Sequence, residues 1–248
     1  MTRFIIFTCG WNCEKYVLNN INSIKSQSYP NYIHIMVDDA STDNTSNIIQ
    51  QNKHQKLIHY RNEENIKWIP NALKYLNRHI MSDNDVLVFV DMDDWLAHNN
   101  VLYNLNTFYE NTDTWITYSM FEYHSSGRLS SWIPRYKDGT ILRKLFRDST
   151  WSLTHLRTMR AFLWKKIKDK DLKDSKGKYF RCTYDMAIFF PALEMASENT
   201  LHIKYVDDLQ YIYNDKNENS VNRGKMKDEQ KENEIYLRKK KPYKEIRI

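Results

Sequence analysis

Short apolar runs alternate with helical periodicity along the first half of the chain. Residues 3–8, RFIIFT, form a β-rich run. Val17, Leu18, Ile21 and Ile24 follow on one face at helical spacing, which predicts an amphipathic helix that is over before Pro30. YIHIMVDD reads as a second strand. ASTDNTSNIIQQN predicts a loop and a helix, with Ser41 or Thr42 as its N-cap. KLIHYRN is a third strand, and WIPNALKYLNRHI a helix that tolerates Pro70 in its first turn. DVLVFVDMDD is a fourth strand, and NNVLYNLNTFYEN and WITYSMF predict a further helix and strand. The second half is less regular. GTILRKLFRDSTWSLTHLRTMRAFLWKKI predicts a loop and then a long helix. TYDMAIFFPALEMASEN predicts a helix interrupted or started near Pro191, and LHIKYVDDLQYIYN short strands. From Asp215 on, a polar loop and a C-terminal amphipathic segment are expected.

Alternation of strand and helix implies right-handed crossovers and a largely parallel sheet, an α/β fold. In such sheets ligands bind beyond the carboxyl ends of the strands. Two predicted strands end there in acids: Asp38 and Asp39 after the second, and Asp91, Asp93 and Asp94 after the fourth. The apolar run Val86 to Val90 is a rigid support for those acids.

Asp91 and Asp93 stand two residues apart, and such residues project to one side of an extended segment. Two carboxylates held together repel unless a cation lies between them or one is protonated. A hard divalent ion, Mg²⁺ or Mn²⁺, takes oxygen ligands and keeps positions for substrate phosphates. The competing reading is a polar loop whose acids cap the next helix, the role expected of Asp94. Asp38, straight after a strand, is placed to accept hydrogen bonds from a nucleobase N–H or ribose hydroxyls. The alternative there is a turn in which Asp43 and nearby hydroxyls cap a helix.

Composition narrows the options. The chain has 248 residues, 41% of them hydrophobic, enough for a sizeable core in one large α/β domain. Only five glycines, with no G-x-G-x-x-G and no G-x-x-x-x-G-K, argue against a dinucleotide-binding dehydrogenase or a P-loop ATPase. A diphosphate would then be met by a metal and basic side chains. The net charge of +6 sits largely in the C-terminal third, where acids accompany the bases. A solvated helical face is the reading, with no nucleic-acid partner. Cys9, Cys13 and Cys182 lack paired metal spacing and are expected as thiols in a reducing compartment. No apolar run approaches the roughly 20 residues that span a bilayer. The N-terminus has too short an apolar stretch for a signal peptide. A cytoplasmic protein is expected, with peripheral membrane contact through the basic C-terminal segment and a homodimer left open.

The order CGWNCEKYVLNNINSIKSQSYPNY, IMVDDASTDNT, VFVDMDD resembles the family 2 glycosyltransferases, and the likeness runs on through THLRTMRAFLWKKI, YFRCTYDMAIFFPALEMA and YIYNDKNENS. The resemblance implies a GT-A fold: a Rossmann-like, mostly parallel central sheet flanked by helices, with a smaller C-terminal acceptor-side region. Residues 1–112 would form the nucleotide-sugar-binding half and 113–248 the acceptor-binding and catalytic-base half of one continuous domain. The implied activity is inverting transfer of a hexose from a UDP-sugar to a glycan or other acceptor hydroxyl, dependent on Mn²⁺ or Mg²⁺. Carried over residue by residue, Asp38 matches the acid that contacts the uracil or ribose, with Thr8 nearby. Asp91 and Asp93 match the D-x-D motif, Asp93 as metal ligand and Asp91 as ribose contact or part of the metal shell. Asp185 falls where the family places its base, and His155 and Arg157 near the diphosphate or the acceptor.

Three departures stand out. Tyr184 replaces a Glu before the base. Lys67 and Trp68 stand where a Gly is common. No His follows His202, so a late metal ligand is missing or its place is taken by Asn217 or Asn222. Asp207 and Asp208 are expected to be structural, and Trp95 and Trp132 to pack in the core rather than stack on a sugar. The competing classes are a nucleotidyltransferase acting on sugar phosphates and a non-catalytic sugar-binding or scaffold protein.

Overall fold

The structure is a computed structural model and describes residues 1–79, 81–110, 113–218 and 226–247. Its strands are β1 (Phe4–Gly10), β2 (Tyr32–Asp38), β3 (Leu57–Arg61), β4 (Val86–Phe89), β5 (Trp95–Leu96), β6 (Ile116–Tyr123), β7 (Arg157–Arg160) and β8 (Ile203–Tyr213). Its α-helices are α1 (Val17–Lys25), α2 (Thr45–Gln51), α3 (Trp68–Leu76), α4 (Val101–Tyr109), α5 (Asp138–Leu142), α6 (Ala161–Lys166), α7 (Tyr184–Met195) and α8 (Met226–Lys239). The strands form one sheet in the order β3-β2-β1-β4-β7-β6-β8-β5.

The first four strands are mutually parallel, as alternation with helices requires. Residues 4–8 of β1 are wholly buried because both faces are covered. Ile5, Phe7, Leu87 and Phe89 pack on one side with α3 and α7, whereas Phe4, Ile6, Val86 and Val88 pack on the other with α4. The sheet then changes sense. Strand β7 is antiparallel to both β4 and β6, and Arg157 pairs with Phe89. An antiparallel strand begins where its neighbour ends. The residues leading into β7 therefore arrive at the edge where β4 delivers its acids.

The long helix expected around THLRTMRAFLWKKI is instead β7 followed by the six-residue α6. The deciding contacts are non-local. The buried Thr158 hydroxyl meets Thr117 Oγ1 at 2.6 Å and the Tyr109 hydroxyl at 2.7 Å. Arg160 donates to the carbonyls of Thr114, Asn84 and Tyr109 at 2.7–2.9 Å. Helix α7 runs unbroken through Pro191, and LHIKYVDDLQYIYN supplies the single strand β8.

On α1, Val17, Ile21 and Ile24 are buried as the spacing predicts, but Leu18 is 40% exposed and Asn20 is wholly buried. The Asn20 amide donates to the carbonyls of Asp91 (3.0 Å) and Asp94 (2.8 Å) and so holds the acid-bearing turn. Trp132 is 61% exposed and does not pack in the core. Asp207 pairs with Arg135 at the surface, and Asp208 accepts from Asn104. All three cysteines are free and buried. Among the described residues no helix is long and apolar enough to cross a membrane.

Candidate active site

A cleft of about 370 Å³ opens at the carboxyl edge of β1 and β4, and Gly10, Asp39, Asp91, Asp93, Arg157 and Asp185 line it together. The end of β1 lies against the acid turn. A Cβ on Gly10 would sit 2.4 Å from the Met92 Cβ, closer than any side chain allows, so glycine is required there. The turn itself is held by neighbours. The Asp91 N–H donates to the Tyr211 hydroxyl at 3.1 Å. Asp94 accepts from that same hydroxyl and from the Asn214 N–H, both at 2.7 Å. Asn217 donates to Asp93 at 2.7 Å, and Tyr184 to Asp91 Oδ1 at 2.9 Å.

Burial first, and then the charge of Asp93, pushes the Asp91 carboxyl up to about 6, against the opposing pull of Arg157 and the Tyr184 hydrogen bond. Burial also raises Asp93, offset by the Asn217 bond. Asp94 is raised well above the carboxylate range by burial and by its two acidic neighbours. Burial lifts the Tyr184 and Tyr211 phenols well above their usual range, so both remain donors.

Strand β7 brings the cation, and the segment entering it a neutral histidine. Arg157 donates through its NH2 group to Asp185 Oδ2 at 3.2 Å and to His155 Nε2 at 3.0 Å, and through Nε to the Leu153 carbonyl at 3.0 Å. A guanidinium only donates, so His155 Nε2 is an acceptor and the neutral ring carries its proton on Nδ1. Burial and the Arg157 charge hold this histidine well below its ordinary pKa. Its ring stacks on Tyr211 with centroids 4.6 Å apart. Asp185 stands in the first turn of α7, where the helix dipole favours an anion.

These acids fit a divalent cation. Asp91, Asp94 and His155 each bring one ligand atom within 4.8 Å of the others. Both Asp94 oxygens are already engaged, and His155 Nε2 accepts from Arg157, so these two serve best as support behind the cation. Asp91 and Asp93 are each held by a neighbouring side chain through one oxygen. An oxygen-rich set carrying more negative charge than Arg157 offsets suits Mg²⁺ or Mn²⁺. Asn217 joins the site as a donor to Asp93, whereas Asn222 lies outside the described residues.

Two residues expected near the donor, Thr8 and Asp38, do not line the cleft. Thr8 is wholly buried and its hydroxyl meets His34 Nε2 at 3.0 Å, so Cys9 and Gly10 face the cleft instead. Asp38 is also wholly buried. Its Oδ1 accepts from the Ser41 N–H at 2.8 Å, its Oδ2 faces Arg61 Nε at 3.6 Å, and it does not line the cleft. Asp39 does, accepting from Asn62 Nδ2 and from the N–H groups of Ile66 and Lys67 at 2.8–3.0 Å. Neighbouring residues at a strand end face opposite ways, so a one-residue error moves an acid from cleft to core.

The departures from the family pattern meet in space. Lys67 adopts φ 71°, a conformation natural to glycine, and so turns Trp68 inward at the head of α3. Trp68 stacks on Tyr184 with centroids 4.7 Å apart and planes 6° from parallel.

The sequence pattern of Glycosyl transferase family 2 matches residues 5–190. The chain belongs to this family. No curated protein matches it in sequence. Among solved structures this family 2 chain is similar to S. aureus TarS 1-349 in complex with UDP-GlcNAc. That match has TM-score 0.64 and 18% identity, covering 90% of this chain and 62% of that one. The chain is also similar to TarS 1-349 alone, with TM-score 0.60, 19% identity and coverage of 86% and 60%. A third likeness is the mannosyltransferase PcManGT from Pyrobaculum calidifontis in complex with GDP-Man and Mn²⁺, with TM-score 0.57, 13% identity and coverage of 88% and 58%. At these identities the likeness is one of fold, the GT-A fold. The chain spans about three fifths of the length of these structures.

Proposed function

We propose that this family 2 chain is an inverting, metal-dependent hexosyltransferase that moves a sugar from a UDP-sugar to an acceptor hydroxyl in glycan synthesis. The observation that carries the reading is the convergence of Asp91, Asp93, Arg157 and Asp185 on one cleft from β4, β7 and α7. The TarS structure with UDP-GlcNAc and the mannosyltransferase structure with GDP-Man and Mn²⁺ support a nucleotide-sugar donor and a divalent ion.

In this reading residues 1–112 bind the donor, and residues 113–248 bind the acceptor and carry the base. Asp39 is the acid that meets the nucleoside, in place of Asp38. Asp91 and Asp93 hold Mn²⁺ or Mg²⁺. When bound, the ion neutralises charge that builds on the departing diphosphate. Asp185 takes the proton of the acceptor hydroxyl as that oxygen attacks C1 from the face opposite the diphosphate. One displacement inverts the anomeric carbon. Arg157 orients the Asp185 carboxylate through their 3.2 Å contact and places a fixed positive charge beside the acids.

The test is a panel of UDP- and GDP-sugars with Mn²⁺, read as release of the nucleotide diphosphate. At least one UDP-sugar should turn over, and EDTA should stop it. Turnover that persists in EDTA removes the metal from the account, and turnover of GDP-sugars alone removes the UDP assignment.

A further inference from the structure

Tyr184 stands one residue before the proposed base, and its phenol reaches the acid turn of β4. Its O–H donates to Asp91 Oδ1 at 2.9 Å, which commits one carboxylate oxygen and leaves the other for a ligand. The ring lies on Trp68 at 4.7 Å and 6°. Trp68 is in turn rooted in the core, edge-on to Phe7 of β1 at 5.3 Å and tilted against Phe89 of β4 at 5.5 Å. Its own placement follows from the φ 71° of Lys67, whose N–H is fixed on Asp39 at 2.8 Å. The same Asp91 is gripped through its backbone by Tyr211 and Asn20.

We infer that Tyr184, seated on Trp68, is a positioning residue that fixes the Asp91 carboxylate for the metal–nucleotide complex and ties the base-bearing helix to the donor motif. A glutamate at this position could not donate to Asp91 and would add one more negative charge to a cleft already rich in acid. A phenol supplies the proton and adds no charge, and the indole stack removes the freedom the ring would otherwise have. Two helices, α3 and α7, thereby close on one carboxylate. The spacing between the metal-binding acids and Asp185 is then set by side chains rather than by loop conformation. Partners of this kind typically change metal affinity ten- to hundredfold, or about that range, when removed.

The inference rests on the transferase reading, and calorimetric binding of UDP in Mn²⁺ separates the two. The parent chain should bind UDP only with Mn²⁺. Tyr184→Phe keeps the ring and its stack but lacks the proton. It should melt as the parent does and bind Mn²⁺ with UDP about tenfold more weakly or worse. Trp68→Leu leaves the phenol but removes its platform, and should weaken binding in the same direction. Parent affinity in Tyr184→Phe overturns the positioning role and leaves the transferase reading standing, whether or not that variant melts early. A parent chain that shows no Mn²⁺-dependent UDP binding overturns both.

Discussion

Glu194→Ala would strand a buried positive charge behind the helix that carries the base. Glu194 is wholly buried and the Arg147 side chain is 5% exposed. Oε1 accepts from Arg147 Nε at 2.5 Å, and Oε2 accepts from NH2 at 3.0 Å and from the Tyr243 N–H at 2.8 Å. The remaining guanidinium nitrogen donates to the Leu237 carbonyl at the end of α8. One carboxylate thus holds α7, α8 and the C-terminal segment together. Removing it leaves the guanidinium with a single carbonyl and orphans the Tyr243 N–H. The expected cost is about 3–5 kcal/mol, the usual loss for breaking one side of a buried pair. Against a typical total of about 5–15 kcal/mol that is a large fraction. Urea denaturation followed by circular dichroism measures it, with the midpoint moving and the slope unchanged. Arg147→Met combined with Glu194→Leu should recover most of the loss, because the pair costs nearly as much to desolvate as it returns. A loss below about 1 kcal/mol for Glu194→Ala, in the range of exposed ion pairs, would rule out a buried pair here. It would mean that the C-terminal segment does not seal this pair from water.

Other consequences follow from single residues. Burial, with the nearby His54 charge, lowers His34 to about 3. Its stabilising effect is intact above pH 6.5 and is lost as pH falls toward 3, because the unfolded chain takes up the proton first. Between pH 7 and pH 5 this amounts to about 2 kcal/mol, which His34→Gln should remove from the pH dependence of a urea midpoint. Lys67→Gly relieves a backbone conformation natural to glycine and should raise the melting temperature by a few degrees, on the order of 1 kcal/mol net of the entropy that glycine adds to the unfolded chain. Asp185→Asn should lower kcat about 10²–10⁴-fold while UDP binding in Mn²⁺ stays at the parent value; full transfer by this variant would remove Asp185 as the base.

The acid-bearing end of β4 was legible because its signal is local. A run of apolar residues and a change to carboxylates suffice to place Asp91 and Asp93 at a sheet edge. Asp185 was legible through its motif, although nothing in its spacing from Asp91 says that the two share a cleft. Strand β7 was hidden for a physical reason. RTMRAFLW alternates weakly and suits a helix as well as a strand, and the choice is made by Thr158 and Arg160 finding partners on β6 and α4. Helix α7 is buried on every side over residues 186–195, so it has no polar face from which periodicity could fix its limits. That Asp39 rather than Asp38 lines the cleft reflects the two-residue period of a strand, in which a shift of one changes the face. Tyr184 and Trp68 each looked like a departure when taken alone, and only their 4.7 Å stack shows that they fit one another.

In the proposed function the acids delivered by β4 bind a divalent metal together with the nucleotide. Calorimetric titration of UDP into the parent chain and into Asp93→Ala, each with Mn²⁺ and with EDTA, tests it most directly. The parent should bind in Mn²⁺ only, and Asp93→Ala should lose that metal dependence. Equal UDP binding by both chains, unchanged by EDTA, would contradict it.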